Sequence, residues 1–349
     1  MQDDKMIIDE VESSVRNVYN RLSDDISKRI YEERILYSLT KDKVHIRNIV
    51  STIPNSQSII NEVLSCTYIW GAGNWGEIIL DWWKNDNIKG VIDIDPKKQG
   101  KEIDGIHIYS PEEILDSDFD GKILISVSKQ FEFIRKTILS YNVSEDKISE
   151  LNLALETKKM GEKQYFSLEC LPHAREESFV DVGCLDGETS MQFIKWSQTF
   201  SKIYCFEPDP DNTKKCNSNL DKLIKSGKVD VFDEGAWSSS TILKFDASSG
   251  GGSHISSDGI EIHTIKLDEV LEDKHITFIK MDIEGAELEA LKGAERIIRE
   301  QNPKLAICVY HKPEDIFTIP DLILKYNPDY HLYLRHYTTF YGDTVLYAI

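Results

Sequence analysis

Short apolar runs alternate with amphipathic stretches through the second half of the chain. Strands that are apolar throughout are typical of parallel sheets, because helices cover both faces of such a sheet. The last two runs leave no room for a crossover helix, so they should pair as an antiparallel hairpin at the edge of a seven-stranded sheet. The predicted strands lie at 179–183, 202–207, 229–233, 276–282, 304–310, 330–335 and 344–349, and the predicted helices at 188–197, 211–224, 286–300 and 314–326.

The first half carries a smaller version of the same α/β pattern. A strand at 67–70 leads into the glycine-rich loop 71–76 and a helix, and a second strand at 90–95 ends in acids. Ahead of it, residues 3–50 have apolar positions at helical spacing, which predicts helices that pack on the rest of the chain or form a homodimer. The expected order is a helical segment at 1–60, a Rossmann-like domain at 61–157, a linker at 158–177 and the larger α/β domain at 178–349.

Composition narrows the classes of function. The chain has 349 residues and a formal net charge of −19, which argues against a nucleic-acid-binding surface because phosphates require basic partners. No apolar run is long enough to span a membrane, and the acidic N-terminus lacks the features of a signal peptide. The six cysteines form no C-x-x-C pair, which indicates reduced thiols. These features predict a soluble cytoplasmic protein.

The most informative segment is SFVDVGCLDGET at 178–189, followed by FEPDP at 206–210. Gly183 and Gly187 allow a sharp turn between strand and helix, and Glu207 follows the next strand, where a carboxylate can accept both hydroxyls of a ribose. A dinucleotide site would carry G-x-G-x-x-G here. This loop is D-x-G-x-x-x-G with two acids, which suits a nucleoside bearing an ammonium group and a sulfonium. S-adenosylmethionine fits best, and with the sheet pattern it predicts the class I methyltransferase fold.

The loop and the strand ends are predicted to surround this cofactor. The loop should pair with the charged ends of the methionine part, and the segment after the third strand should meet the adenine. The stretch 248–257 is either a mobile lid over the pocket or an exposed turn. The predicted cofactor-binding residues are Asp181, Gly183, Asp186, Gly187, Thr189, Glu207, Asp209, Glu234 and Ala236.

Methyl transfer requires that the acceptor be aligned and lose its proton. Asp282 ends the fourth strand and His311 follows the fifth, at the sheet edge where α/β folds bind ligands. Histidine has a suitable pKa for a general base near neutral pH, and a buried carboxylate is the other candidate. The competing interpretation is a divalent metal ion held by Asp282, His311 and Glu284, although Mg²⁺ prefers oxygen ligands. The favoured prediction is catalysis by His311 and Asp282 without a metal.

The glycine-rich loop of the first half predicts a second ligand site. Its G-x-G-x-x-G lies between a strand and a helix, with acids about twenty residues past the first glycine. The alternatives are an NAD-dependent enzyme and a loop that serves only for packing. The predicted contacts to the substrate or to a second nucleotide are Gly71, Gly73, Asn74, Trp75, Gly76, Asp93 and Asp95, with His336 from the larger domain.

Four segments of the larger domain resemble the FkbM family of S-adenosylmethionine-dependent methyltransferases: FVDVG at 179–183, FEPD at 206–209, IKLDE at 265–269 and FIKMDIEGAE at 278–287. The resemblance implies O-methylation of a sugar, a nucleotide-linked sugar or a related small molecule in surface-glycan or secondary-metabolite biosynthesis. Residues 90–114 resemble modules of sugar-modifying enzymes, which implies that the first domain holds a nucleotide or nucleotide-sugar. Methyl transfer to a phosphate-type oxygen and an NAD-dependent sugar-modifying reaction are the alternatives.

Overall fold

The chain forms two compact units in a computed structural model that describes residues 2–247, 252, 254–256 and 259–349. The large unit comprises Met1–Leu39, Gln164–Arg335 and Gly342–Ile349, and the small unit comprises Thr40–Lys163 and His336–Tyr341. Most of the stretch 248–257, predicted as a lid or a turn, lies outside the described residues. Within the described ranges, no helix combines the length and the apolar character needed to cross a membrane.

The chain begins with two helices of the large unit, α1 (Gln2–Arg21) and α2 (Asp25–Thr40). Between them, Ser23 donates its backbone N–H to the carbonyl oxygen of Leu332 at 2.9 Å. Next to this contact, Nη2 of Arg335 lies 2.6 Å from Oδ2 of Asp24. The N-terminal helices therefore pack against the rest of the large unit. Dimerisation through them stays a prediction.

The small unit is a sheet flanked by helices. Its five strands are arranged as β3-β4-β2-β1-β5, and all neighbours run parallel except the β3–β4 hairpin. In chain order its elements are α3 (Val44–Val50), α4 (Ser56–Ser65), β1 (Tyr68–Trp70), α5 (Asn74–Trp83), β2 (Gly90–Ile92), β3 (Glu102–Ile103), β4 (Ile106–Tyr109), α6 (Pro111–Ile114), β5 (Ile123–Ile125), α7 (Phe131–Leu139) and α8 (Leu153–Gly161).

The remaining elements belong to the large unit, where strands and helices alternate as predicted. In chain order they are β6 (Glu177–Val182), α9 (Glu188–Trp196), β7 (Phe200–Phe206), α10 (Pro210–Asn219), α11 (Asp221–Lys225), β8 (Val229–Phe232), β9 (Gly235–Ala236), β10 (Thr241–Asp246), β11 (His254–Ile255), β12 (Ile260–Ile265), α12 (Leu267–Val270), β13 (Phe278–Met281), α13 (Glu287–Lys292), α14 (Glu295–Gln301), β14 (Lys304–Cys308), α15 (Asp315–Tyr326), β15 (Leu332–His336) and β16 (Thr344–Ala348).

The main sheet has seven strands in the order β15-β16-β14-β13-β6-β7-β8. The five strands from β14 to β8 pair in parallel, whereas β16 runs antiparallel to β14. His331 and Ile349 exchange backbone hydrogen bonds of 2.9 and 3.1 Å, which closes the hairpin of β15 and β16. The predicted α/β fold with a C-terminal antiparallel hairpin is confirmed, and it is the class I methyltransferase architecture.

Two of the predicted helices are interrupted. The helix predicted at 211–224 divides at Leu220, whose φ of −100° and ψ of 7° are not helical. The helix predicted at 286–300 divides after Gly293, where a Cβ would lie 2.1 Å from the carbonyl oxygen of Trp237. The apolar periodicity continues across both breaks, because it depends on which side chains are buried. It does not depend on whether the backbone hydrogen bonds of the helix are continuous.

The segment predicted as a linker contributes to the core of the large unit. Tyr165 is 4 % exposed, and the ring of Phe166 packs edge-on against Phe179 and Phe278 at centroid distances of 6.0 and 5.8 Å. Both residues lie in a turn, so they have no periodic pattern that the sequence could display. This turn brings Tyr165 to the candidate site described next.

Candidate active site

The loop between β6 and α9 turns sharply, with positive φ at three positions. The φ angle is +75° at Gly183, +52° at Leu185 and +85° at Gly187. A Cβ on Gly183 would lie 2.0 Å from the carbonyl oxygen of Asp282. Only glycine fits that position, and a residue such as Leu185 adopts a positive φ at an energetic cost. The loop is therefore a tight cradle held against the end of β13.

Glu207 follows β7 and holds this loop through its carboxylate. Oε2 accepts the backbone N–H of Leu185, and Oε1 accepts that of Asp209, both at 2.9 Å. Burial raises the pKa of Glu207 to about 7 despite these two bonds. Each carboxylate oxygen can accept a further hydrogen bond, which is what the predicted contact with ribose hydroxyls requires.

Asp181 lies beneath the loop. It is fully buried, with Oδ1 3.1 Å from Nζ of Lys280 and with Oδ2 accepting the hydroxyl of Ser190 at 2.7 Å. Lys280 also donates to the carbonyl oxygen of Gly183 at 2.7 Å. The side chain of Asp181 thus supports the turn, but it has no exposed surface with which to touch a ligand. Its predicted role of holding the turn beside the methionine part of the cofactor stays a prediction.

Four other predicted cofactor residues lie near the loop, around the ends of β6 and β8. Asp186 and Thr189 are partly exposed where the loop enters α9, and Glu234 is partly exposed after β8. Burial, together with the neighbouring charge of Asp233, raises the pKa of Glu234. Ala236 is buried in β9. Because β6, β7 and β8 are parallel neighbours, the loop, Glu207 and the segment after β8 share one edge of the sheet.

Asp209 caps a helix. Its Oδ1 accepts the backbone N–H groups of Asp211 and Asn212, at 2.9 and 3.2 Å, at the start of α10. Carboxylates are favoured at this position because the first N–H groups of a helix have no partner within it. The structure shows Asp209 capping α10, and its predicted role as a cofactor contact stays a prediction.

Asp282, Glu284 and His311 meet where β13 and β14 end. Nε2 of His311 lies 3.5 Å from Oδ1 of Asp282 and 3.5 Å from Oε2 of Glu284. On the other side of the ring, Nδ1 lies 3.0 Å from Oε1 of Glu287. The structure therefore brings together the two predicted catalytic residues, Asp282 and His311. It also places Glu284, the third residue of the predicted alternative metal site, beside them.

The carboxylates around His311 change its protonation. Although burial opposes the charge, the three carboxylates raise the pKa of His311 to about 9. Burial also opposes ionisation of Asp282, but Lys280 and His311 together hold the pKa of Asp282 below its ordinary value. His311 therefore carries a proton at neutral pH in this arrangement. His311 could act as a general base only if another group offset the carboxylates and lowered its pKa.

Three further side chains complete the site, and none is among the predicted residues. Tyr165 donates its hydroxyl to Oδ2 of Asp282 at 2.7 Å, and Tyr310 donates to Oδ1 at 3.3 Å. The third is Lys280, which pairs with the loop as described above. Tyr310 directly precedes His311 in the chain, so the sequence could have indicated that Tyr310 lies at the site. Tyr165 is 117 residues from Asp282, and no sequence pattern connects them.

The glycine-rich loop of the small unit is built like the loop of the large unit. Asp93, after β2, accepts the backbone N–H of Ala72 on Oδ2 at 2.7 Å and that of Asp95 on Oδ1 at 2.8 Å. Glu207 makes the same pair of bonds, one to its loop and one two residues on. Nζ of Lys98 lies 3.2 Å from Oδ2 of Asp93. The carboxylate that was predicted to bind a ribose thus already holds the loop and an ion pair.

The glycines of this second loop are not equivalent. A Cβ on Gly76 would lie 2.1 Å from the carbonyl oxygen of Gly71, so helix and strand pack closely here. A Cβ on Gly71, where φ is +111°, would lie 2.9 Å from Oγ of Ser126. A Cβ on Gly73 would meet no atom of the described residues within 4 Å. Close packing therefore explains the glycines at 71 and 76. It does not explain Gly73, which faces open space.

Three further predicted contacts differ in accessibility. Asn74 is exposed and Trp75 is partly exposed at the start of α5, where a ligand at the loop could reach them. His336, the last residue of β15, is 4 % exposed. A substrate contact through the side chain of His336 is therefore not supported.

The comparison with known families identifies the region that carries this site. Residues 181–339 match the family model described as "Methyltransferase FkbM domain". This segment is similar to FkbM methyltransferase domains. Residues 63–149 match a second family model, described as "C2185-like, N-terminal". The crystal structure of a methyltransferase FkbM from Methylobacillus flagellatus KT aligns with 90% of this chain and 100% of that chain, with a TM-score of 0.53 and 20% identity, which shows a shared fold.

Two curated relatives are similar to the chain over shorter stretches. Hexuronic acid methyltransferase AglP from Haloferax volcanii is 33% identical over 111 residues, which are 30% of this chain and 46% of that protein. The 2-O-methyltransferase NoeI from Sinorhizobium fredii is 25% identical over 144 residues, which are 34% of this chain and 58% of that protein. The chain thus spans about half the length of the curated relatives it matches.

Proposed function

We propose that the protein is an S-adenosylmethionine-dependent O-methyltransferase that acts on a hydroxyl group of a sugar, free or nucleotide-linked. The observation that carries the proposal is the glycine loop clamped by Glu207 on the same sheet edge that presents Asp282 and His311. The names of the relatives, which refer to a hexuronic acid and to 2-O-methyl transfer, support a sugar as the acceptor.

The residues on this edge fit the cofactor. The missing Cβ at Gly183 keeps the loop tight, and Glu207 retains acceptor capacity for two ribose hydroxyls. When bound, the cofactor supplies an electrophilic methyl group on a sulfonium. The protein then has to hold the acceptor hydroxyl in line and accept its proton. Asp282 is ionised beside Lys280, so its carboxylate can accept the hydrogen bond that orients this hydroxyl.

A methyl-transfer assay on the full chain tests the function. The protein would be incubated with the methyl donor labelled in its methyl group and with glycosides of hexuronic acids, neutral hexoses and nucleotide-sugars. We expect label in a sugar hydroxyl, located by fragmentation mass spectrometry. Label on a phosphate oxygen would favour the phosphate alternative, and label in none of these compounds would contradict a sugar acceptor.

Substitution of Glu207 tests the cofactor site. Glu207→Ala should weaken binding of S-adenosylhomocysteine by about 1.5–3 kcal/mol, because the ribose loses a charged hydrogen-bond acceptor. Isothermal titration calorimetry measures the difference. Glu272→Ala, at an exposed position after α12, is the matched control and should bind normally. Equal affinities for both variants would remove Glu207 from the site.

We also propose that the small unit binds the nucleotide part of the acceptor through the loop at Gly73. The support is the clamp of Asp93 on this loop, which repeats the clamp of Glu207, and the open space at Gly73. Exposed backbone N–H groups at the start of a helix bind phosphates well. NAD binding at the same loop is the alternative function.

Substitution of Gly73 distinguishes these possibilities. Gly73→Val should abolish binding of a nucleoside diphosphate, because the new side chain occupies the space before the loop without touching the fold. Affinity for S-adenosylhomocysteine should stay unchanged. Gly161→Val, also in open space, is the control. Calorimetry in which NAD binds tightest, or in which no nucleotide binds the unaltered chain, would overturn the nucleotide role.

A further inference from the structure

The donor atoms of Asp282, Glu284 and His311 are arranged as in a metal site. One ligand atom from each residue lies within 4.8 Å of the other two, and Nε2 of His311 lies 3.5 Å from each carboxylate oxygen. Donors that are each about 2.1 Å from one ion are roughly 3.0–3.4 Å apart in octahedral or tetrahedral coordination. Small side-chain rotations would therefore place all three donors on one ion.

The imidazole of His311 provides an independent indication. Its side chain is 8 % exposed, yet Nε2 has no hydrogen-bond partner among the described residues. Buried polar atoms are nearly always paired, because an unpaired one costs about 1–3 kcal/mol. Nε2 faces the two carboxylate oxygens at the cluster, where an ion would satisfy it.

The surrounding residues make the outer contacts that metal ligands have in other proteins. A histidine ligand usually has a carboxylate at its second nitrogen, and ligand carboxylates are themselves hydrogen-bonded. Here Oε1 of Glu287 lies 3.0 Å from Nδ1 of His311 and is itself held by the backbone N–H of Ile283 at 2.8 Å. Tyr165 donates to Oδ2 of Asp282, the oxygen that is not placed toward His311.

Charge and backbone conformation agree with this geometry. Three carboxylates, from Asp282, Glu284 and Glu287, surround the imidazole of His311, and Lys280 acts on Asp282 as well. Three negative groups against these two positive ones leave a net negative charge that a bound cation would offset. Glu284 also has a φ of +53°, which a residue with a Cβ adopts at a cost and which tends to persist at functional sites.

We propose that Oδ1 of Asp282, Oε2 of Glu284 and Nε2 of His311 bind a divalent metal ion that accepts mixed oxygen and nitrogen ligands, with Mn²⁺ as the representative. Mg²⁺ fits less well because one ligand is a nitrogen. The geometry thus supports the alternative that the sequence interpretation placed second. A role for the ion in lowering the pKa of the acceptor hydroxyl rests on the proposed function, whereas the ion site does not.

Binding of Mn²⁺ to the full chain, after treatment with EDTA and dialysis, tests the site without cofactor or acceptor. Electron paramagnetic resonance should show a single bound ion per chain, and its pulsed form should show coupling to an imidazole nitrogen. His311→Asn should abolish that coupling. It should also weaken Mn²⁺ binding by about tenfold or more, and Glu284→Gln should have a similar effect on affinity.

The matched controls are His275→Asn and Glu272→Gln, both at exposed positions, and both should bind Mn²⁺ as the unaltered chain does. Circular dichroism checks that each variant folds, and if His311→Asn does not, Glu284→Gln decides. Failure of the unaltered chain to bind Mn²⁺, bound Mn²⁺ without nitrogen coupling, or affinity that the site variants leave unchanged would overturn the proposal.

Mn²⁺ binding and methyl transfer can be lost independently of each other. Mn²⁺ binding in a chain that transfers no methyl group would remove the function and leave the ion site. Methyl transfer that persists in EDTA, in a chain that binds no Mn²⁺, would remove the ion site and leave the function.

Discussion

Replacing Lys280 with methionine is expected to lower the free energy of unfolding by about 3–5 kcal/mol. Nζ of Lys280 lies 3.1 Å from Oδ1 of Asp181, and the two side chains are 2 % and 0 % exposed. The same nitrogen donates to the carbonyl oxygen of Gly183 at 2.7 Å. Methionine has a similar length but no charge, so it leaves a buried carboxylate and a loop carbonyl without their partner. Urea denaturation followed by circular dichroism measures the change.

Two further variants show whether the lost ion pair is the cause. Lys274→Met, at an exposed position, should change the free energy of unfolding by less than about 0.5 kcal/mol. The double variant Lys280→Met with Asp181→Leu should regain part of the loss, because no buried charge then lacks a partner. A loss below about 1 kcal/mol for Lys280→Met alone would show that the pair does not hold the loop.

Asp282→Asn should lower turnover by about a hundredfold or more while leaving affinity for S-adenosylhomocysteine nearly unchanged. The carboxylate stands at the end of β13, where Tyr165 and Tyr310 orient it and His311 faces it. Asparagine keeps the shape but removes the charge that orients the acceptor or binds an ion. Initial rates at saturating donor and acceptor, with calorimetry for the affinity, separate chemistry from binding.

His311→Ala is expected to lose as much activity, since either catalytic interpretation of the cluster includes this residue. Asp273→Asn, at an exposed position, serves as the control and should keep normal turnover. Full activity in both Asp282→Asn and His311→Ala would exclude the cluster from the chemistry. Activity that EDTA abolishes and Mn²⁺ restores would assign the loss to an ion.

The strand pattern of the large unit is predictable from the sequence. A strand that is buried between two layers of helices is apolar along its whole length, so it is visible in the local sequence. A central strand such as β6 is buried at every position, so its apolar run is visible without any knowledge of its neighbours. The connection between β15 and β16 is likewise too short for a crossover helix, so these two strands can pair only as an antiparallel hairpin. The helix breaks at Leu220 and Gly293 are not visible in this way, since the buried face continues across them.

Part of the site is predictable for a similar reason. Gly183, Glu207, Asp282 and His311 all follow parallel strands, and parallel strands end at one edge of a sheet. Chain position alone therefore brings these residues together. Tyr165 comes from a turn far away in the chain, so its contact with Asp282 depends on how the turn packs.

The sequence by itself determined the order of strands and helices, the sharp turn at Gly183 and the edge where the polar residues gather. Only the tertiary structure decided which charged residues can meet a ligand. Asp181 and Glu207 both stand at strand ends beside the same loop, but the pairing of β6 with β13 places Lys280 opposite Asp181 and buries both. The physical reason is that burial and ion pairing depend on distances through space, which the register between strands sets and a local pattern does not contain.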